Sequence, residues 1–316
     1  MSKFLQKIKF DKWKGWVYLI PCLILLLIFT VWPIINTLRI SMLEGYNALA
    51  LKGGRTFEFG FGNFISVLSY PDFKTCLLNT VLLCIVTVPI STILALLIAV
   101  CLNAIKPLQR LLQTIFFLPY VTNSIAIGMV FAAMFNMVGI NMTSEEGRII
   151  VSSGLVNTVL GWFGIGPINW VNIGASYPAQ ITVAVVYIVW NALPFKILIL
   201  LGGLQSVNKQ YYEAAKVDGT PRWRVFTRIT VPLLSPMLAY VVITGFIGGF
   251  KEYSSLIGLF GENLSSRDMN TMVGYIYDSI ASGTQGKASA AALILFVIIF
   301  IVTMINLYVS KKKTHY

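Results

Sequence analysis

At 316 residues, 57% hydrophobic and only 11% charged, with a mean hydropathy of +0.78, the chain falls far outside soluble domains, which carry roughly a quarter charged residues. This excludes a water-soluble globule, and apolar runs spread from residue 16 to 310 leave no room for a separate soluble domain of ordinary size. The formal net charge of +12 would point to nucleic acid in a soluble protein, but here its meaning depends on which side of a membrane the charges occupy.

The chain opens with a basic tail over 1–15 carrying Lys3, Lys7, Lys9, Lys12 and Lys14. The apolar run behind it is too long for a signal peptide and lacks a small-residue cleavage site, so it reads as an uncleaved first helix. A bilayer core of about 30 Å needs about 20 apolar residues in helix. Six segments qualify, near 16–38, 76–102, 111–135, 181–203, 236–258 and 289–310. At these lengths only helices satisfy every backbone polar group in lipid, so the fold class is all-α integral membrane.

Six crossings place both termini on one side. With that side cytoplasmic, fifteen Lys/Arg lie there and seven opposite, while Lys196 and Lys251 fall inside spans. This bias predicts an N-in/C-in topology, so the positive charge is read as topology and contact with membrane lipid rather than nucleic acid. The domain plan is a cytoplasmic tail 1–15, a transmembrane domain 16–310 with a cytoplasmic loop 204–235, and a cytoplasmic tail 311–316.

Few ionisable groups enter the spans. Lys196 is expected to snorkel toward the cytoplasmic end of its helix, Lys251 and Glu252 sit toward the outer end of theirs, and the sole histidine, His315, is in the tail. The shortage of intramembrane carboxylates weakens an ion-coupled secondary transporter. Cys22, Cys76, Cys84 and Cys101 show no metal-binding spacing and read as small core residues, and no His/Asp/Glu or Ser/His constellation suggests catalysis or a metal site.

The loop between the fourth and fifth spans is the informative segment. Tyr211 through Val217 is helix-compatible, Gly219 can adopt the left-handed conformation that ends a helix, and Thr220 with Pro221 supplies an N-cap and N1 proline for a second helix to about Thr230. On that second helix Trp223, Phe226 and Ile229 recur at helical spacing among Arg222, Arg224 and Arg228. Two readings are open from physics alone: basic residues that only hold topology, or a docking element with Glu213 as its carboxylate.

Glu213-Ala214-Ala215, three residues, Gly219, nine residues, Ile229, one residue, then Val231-Pro232 resembles the EAA motif of ABC importer permeases, with valine in place of leucine at 231. Pro194-Phe195-Lys196 and Leu204-Gln205-Ser206 resemble the carbohydrate branch of that family. Gly166-Pro167-Ile168-Asn169-Trp170 and Phe250-Lys251-Glu252-Tyr253 are similar to sugar permeases related to the larger membrane subunit of the maltose transporter. The stretches 142–148 and 261–268 fit the pattern less well.

The resemblance implies a cytoplasmic coupling helix between the fourth and fifth spans, with Glu213, Ala214, Ala215, Asp218 and Gly219 assigned to coupling. It also implies three partners in a bacterial or archaeal plasma membrane: a cytoplasmic ABC ATPase dimer, a second homologous permease and an extracytoplasmic solute-binding protein. The run Gly283-Thr284-Gln285-Gly286-Lys287-Ala288 lacks the P-loop's first glycine and its Ser/Thr, so no cofactor is expected on this chain; ATP and Mg would belong to the partner.

A sugar stacks on aromatic faces and bonds to uncharged polar groups. Substrate-path candidates are Tyr187, Trp190 and Asn191 in the fourth span and Phe250, Tyr253 and Ser254 in the fifth, while Gly245, Gly248 and Gly249 read as helix-packing glycines. For each aromatic the plainer role is an interfacial or packing residue. Rival readings are a permease of the same architecture for glycerol phosphate, a modified oligosaccharide or a peptide, an ion-coupled secondary transporter, and a membrane enzyme.

Overall fold

The structure is a computed structural model that describes residues 16, 18–54, 56–105, 109–143 and 149–313. The tail 1–15, residues 106–108 of the turn after the second span, residues 144–148 of the 142–148 stretch, and 314–316 with His315 lie outside the described residues.

Among the described residues four helices are long and apolar enough to cross a membrane: α1 (Tyr18–Ser41), then, after short helices α2 (Ala48–Lys52) and α3 (Gly62–Ser69), α4 (Pro71–Ala104), and further on Tyr177–Ser206 and Gln285–Lys311. Two further apolar segments are bent pairs, α5 (Gln109–Val121) with α6 (Ser124–Phe135) at 98°, and Arg222–Leu233 with Ser235–Phe250 at 68°; counting each pair as one span brings the number to six.

The first bend corrects the expectation of one straight helix over 111–135. Asn123 is extended, with ψ of 121°, and its side chain accepts from the Ile125 N–H at 2.8 Å, so a new helix starts there. Helical hydrogen bonding also shifts register upstream of two prolines. Leu27–Val31 precedes Pro33 and Phe226–Thr230 precedes Pro232, both as π-helical turns. Each proline removes the N–H that an α-helical carbonyl would need, and the widened turn accommodates the loss.

Strand pairing among the described residues is confined to an isolated Leu43–Phe59 bridge and one antiparallel hairpin, β1 (Met137–Thr143) with β2 (Ile149–Ser153), registered Met137↔Ser153 and Thr143↔Ile149. The hairpin follows the end of α6 and departs from the all-helical expectation. The β-branched residues of Ile149-Ile150-Val151 favour extended backbone, and the hairpin pairs its N–H and C=O groups outside the apolar helices.

The remaining elements are α7 (Leu155–Trp162), α8 (Tyr177–Ser206), α9 (Lys209–Val217), α10 (Arg222–Leu233), α11 (Ser235–Gly249), α12 (Ser254–Phe260), α13 (Met272–Ala281) and α14 (Gln285–Lys313). The apolar stretch predicted to run through 258 stops being one helix at Gly249. Residues 250–253 turn before α12 begins.

The described residues fall into two compact units, those within 16–70 with 276–294, and those within 71–275 with 295–313. In the first, buried Asn63 donates to the carbonyls of Ser41 and Leu43 at 3.0 and 2.7 Å and accepts from Gly45 N–H, fixing the turn after α1. There too the Gly-Lys run is a helix start: Gly283 takes φ +78°, Gln285 opens α14, and Gly286 N–H donates to Tyr46 O at 3.1 Å.

In the second unit α4 lies along α8, and buried Ala95, Ala99, Leu200, Leu201 and Leu204 form one core. A second core gathers Phe135, Val183, Tyr187, Leu256, Leu259 and Met269. α6 and α12 cross where Gly128 meets Gly258; a Cβ on Gly128 would come within 2.8 Å of the Gly258 Cα, so only glycine permits this approach.

Candidate functional site

α4, α5, α8 and α11 enclose a cleft of about 260 Å³ inside the second unit. On α11 the spacing of Gly245, Gly248 and Gly249 removes side chains from one wall. A Cβ on Gly249 would sit 2.9 Å from Cys84 Sγ, whereas one on Gly248 would meet nothing within 4 Å. Gly249 therefore serves packing, and Gly248 keeps the cleft open.

Opposite, Tyr120 and Phe195 stack with ring centroids 5.6 Å apart and planes 19° from parallel, forming an aromatic wall. Thr87, Ser91, Thr244 and Asn191 supply neutral polar groups, and Asn191 Nδ2 reaches Ser124 Oγ at 3.4 Å.

Lys196 overturns its expected role. Its side chain does not snorkel but is only 5% exposed, and the ammonium donates to Ser91 Oγ at 2.7 Å, Thr92 Oγ1 at 3.0 Å and Val88 O at 3.3 Å. Those hydroxyls in turn donate to the Thr87 and Val88 carbonyls, so each polar atom of the cluster has a partner. This satisfies a buried charge with neutral oxygens and ties α8 to α4. Glu252, past the end of α11, also lines the cleft, and its carboxylate accepts from Ser255 N–H at 3.2 Å; Lys251 is exposed.

Of the six predicted path residues, the structure brings only Asn191 to the cleft. Tyr187 is fully buried in the core, where its hydroxyl donates to the Ser124 carbonyl and its ring meets Phe131 at 4.9 Å. Trp190 also packs against Phe131, with centroids 5.0 Å apart. Phe250 is buried outside the cleft lining, Tyr253 packs against the core, and Ser254 is exposed at the start of α12. Sequence reading missed Tyr120 and Phe195 because nothing local distinguishes a cleft-facing aromatic from a packing one.

The loop predicted from its turn chemistry has the expected form. Asn208, unforeseen, caps α9 by accepting from Gln210 N–H at 3.0 Å, and Gly219 takes φ +64°. Thr220 makes no side-chain cap; Pro221 itself holds the N-cap position, with ψ of 146°, and Arg222 begins α10. Glu213, Ala214, Asp218 and Gly219 are exposed, while Ala215 is buried and seats α9 on this chain. Val217 is 89% and Trp223 73% exposed, so the loop presents large apolar side chains outward. Among the described residues no group of three or more His, Cys, Asp or Glu could hold a metal ion.

These features define a polytopic helical membrane protein with a largely apolar internal cleft that carries a few polar groups, and with a two-helix loop whose charged residues are exposed. Residues 87–315 match the family of binding-protein-dependent transport system inner membrane components, and the chain belongs to that family. It is 28% identical over 304 residues to the lactose transport system permease protein LacF of Rhizobium radiobacter, covering 95% of this chain and 94% of that one. It is 32% identical over 256 residues to the arabinooligosaccharides transport system permease protein AraP of Halalkalibacterium halodurans, covering 79% and 75%. In fold it is similar to a chain from the crystal structure of a bacterial ABC transporter involved in the import of the acidic polysaccharide alginate, with a TM-score of 0.79 and 21% identity over 99% of this chain and 100% of that one.

Proposed function

We propose that this chain is the permease subunit of an ATP-driven, binding-protein-dependent importer of a sugar, most simply an oligosaccharide, and forms half of the translocation path. The observation that carries the reading is the two-helix loop, whose Glu213, Ala214 and Asp218 face outward around the left-handed Gly219 while Ala215 anchors it. Six spans, both termini cytoplasmic, place that loop in the cytoplasm, as the Lys/Arg bias supports.

There α9 and α10 dock a cytoplasmic ATPase dimer, Glu213 pairing with a basic residue and Trp223 covering apolar surface. ATP and Mg bind that partner, with no cofactor on this chain. Closure of the ATPases moves the loop and biases the helices around the cleft between inward and outward access, while an extracytoplasmic solute-binding protein biases the same two states. A second homologous permease completes the path. The stacked Tyr120 and Phe195 with the hydroxyl and amide groups of Thr244 and Asn191 suit an uncharged, polyhydroxylated solute. The sugar-transport names of the relatives support the same class.

The test compares wild type with Glu213→Arg after mild detergent extraction from the native membrane. An ATPase and a second permease are expected with wild type, and the ATPase is expected to be lost from the variant. Absence of any ATPase under conditions that preserve a known membrane complex overturns the reading in favour of a self-sufficient transporter.

A further inference from the structure

Tyr212 immediately precedes Glu213 on α9, but the two side chains are placed differently: Glu213 is exposed and Tyr212 is half-buried. The Tyr212 hydroxyl meets Thr230 Oγ1 at 3.3 Å. Thr230 is buried, and its hydroxyl also lies 3.4 Å from the Val225 carbonyl, which can only accept. Thr230 therefore donates to Val225, and Tyr212 donates to Thr230. This is the one side-chain hydrogen bond between α9 and α10 among the described residues, and it joins positions 18 residues apart across the left-handed Gly219 turn.

Thr230 closes the π-helical turn Phe226–Thr230, and the chain passes from it through Pro232 into α11, whose Thr244, Gly245 and Gly248 line the cleft. Where α10 bends into α11, a Cβ on Gly203 of α8 would come within 2.9 Å of Met237 Cγ and 3.0 Å of Leu234 Cδ2, so the bend sits tightly on α8. Beneath the rest of α10 the packing is open. A pocket of about 310 Å³ lies between Tyr212, Val225 and Phe226 on one side and Val100, Asn103 and Ala104 at the end of α4 on the other. α10 is thus seated at one end and has room to move at the other. A push on α9 reaches α10 along the backbone only through Gly219, the residue type with the widest backbone freedom. The Tyr212–Thr230 bond bypasses that turn.

We infer that Tyr212 is a positioning residue for transport: its hydroxyl locks α9 to α10, so that displacement of the loop swings α10 toward the open pocket and carries the α11 wall of the cleft with it. This rests on the reading of the loop as the ATPase dock. A bond that only held the fold together would change stability, whereas one that transmits a displacement changes the balance of access states while the partner stays bound.

The purified complex, with Gly248→Cys as a reporter in the cleft and the exposed Cys22 and Cys101 changed to serine, is reconstituted in vesicles. Labelling of the reporter by a water-soluble maleimide is timed with and without a non-hydrolysable ATP analogue, and the nucleotide is expected to change the rate. Tyr212→Phe, which keeps the ring and loses the hydroxyl, is expected to retain the ATPase and to shrink the nucleotide-driven shift in cleft access about fivefold, the equilibrium equivalent of one neutral hydrogen bond. Thr230→Val should do the same and the double variant no more, because both remove one bond; Thr230→Ser should respond like the reference. An unchanged shift in both single variants, or additive losses in the double, overturns the proposal. So does loss of the ATPase from Tyr212→Phe, which would make the hydroxyl a docking contact, and so does a reference complex that binds the ATPase yet labels alike with and without nucleotide. Absence of the ATPase from the reference complex itself is a different failure, which overturns the importer reading and this inference with it.

Discussion

The Lys196 ammonium lies 2.7 Å from the Ser91 hydroxyl, joining α8 to α4 at the wall of the cleft. A buried cation held by neutral oxygens is costly to strand and cheaper to remove whole. Ser91→Val, which deletes an acceptor and leaves the charge, is expected to destabilise by about 1–3 kcal/mol, more than Lys196→Met does. The double variant should return to the level of Lys196→Met. Thermal unfolding of the purified complex measures this, and simple additivity of the two substitutions would contradict the coupling.

The glycines separate packing from passage. Gly258→Ala pushes a Cβ to 2.7 Å from the Ile125 carbonyl oxygen, so assembly and thermal stability should fall, by about 1–3 kcal/mol if the helices can shift apart. Gly248→Phe points into open space, so the protein should assemble normally while uptake of labelled sugar is blocked. Uptake by membrane vesicles, set beside subunit recovery, distinguishes the two.

Tyr120 and Phe195 form the aromatic wall of the cleft. If sugar stacks there, Phe195→Ala should lower uptake roughly tenfold at limiting substrate, on the order of one aromatic contact, with the ATPase still bound. An unchanged uptake rate would place the sugar elsewhere.

Gly219 sits at φ +64° between α9 and α10. Gly219→Ala should cost about 1–2 kcal/mol, the penalty for a Cβ in the left-handed region, and Gly219→Asn less. Recovery of the ATPase with the purified chain should fall in the same order, with the membrane body equally stable in all three.

Asn157 accepts from Ile168 N–H at 3.1 Å and Trp170 Nε1 at 3.0 Å and donates to Ile168 O at 2.9 Å, bracing the segment before α8. Asn157→Leu strands these groups, so amide exchange across 163–175 should rise by at least tenfold, corresponding to about 1–3 kcal/mol of local stability. Hydrogen exchange read by mass spectrometry checks it.

Much of this was legible before any coordinate. Apolar run length located the membrane segments, and the Gly219 turn followed from local backbone chemistry. Cleft-facing residues were not legible. α4 and α8 show little hydrophobic periodicity, because in lipid the outward face is as hydrophobic as the packed one, so the apolar pattern does not mark which side faces in. Tyr187 and Trp190 were therefore indistinguishable from Phe195 by type, although the structure packs the first two against Phe131 and turns only the third to the cleft. Lys196 was misread for a related reason: its stem can reach either a membrane surface or a polar niche, and the niche is built by Ser91 and Thr92 more than 100 residues away.

By itself, then, the sequence determined a helical membrane protein with a two-helix loop turning at Gly219, since hydrophobic length and a glycine's permitted φ are local properties. The cleft and the seat of Lys196 were decided only by tertiary structure. Each is made of residues from helices distant in sequence, and which faces meet depends on where glycine lets backbones approach and where proline and Asn123 bend the chain.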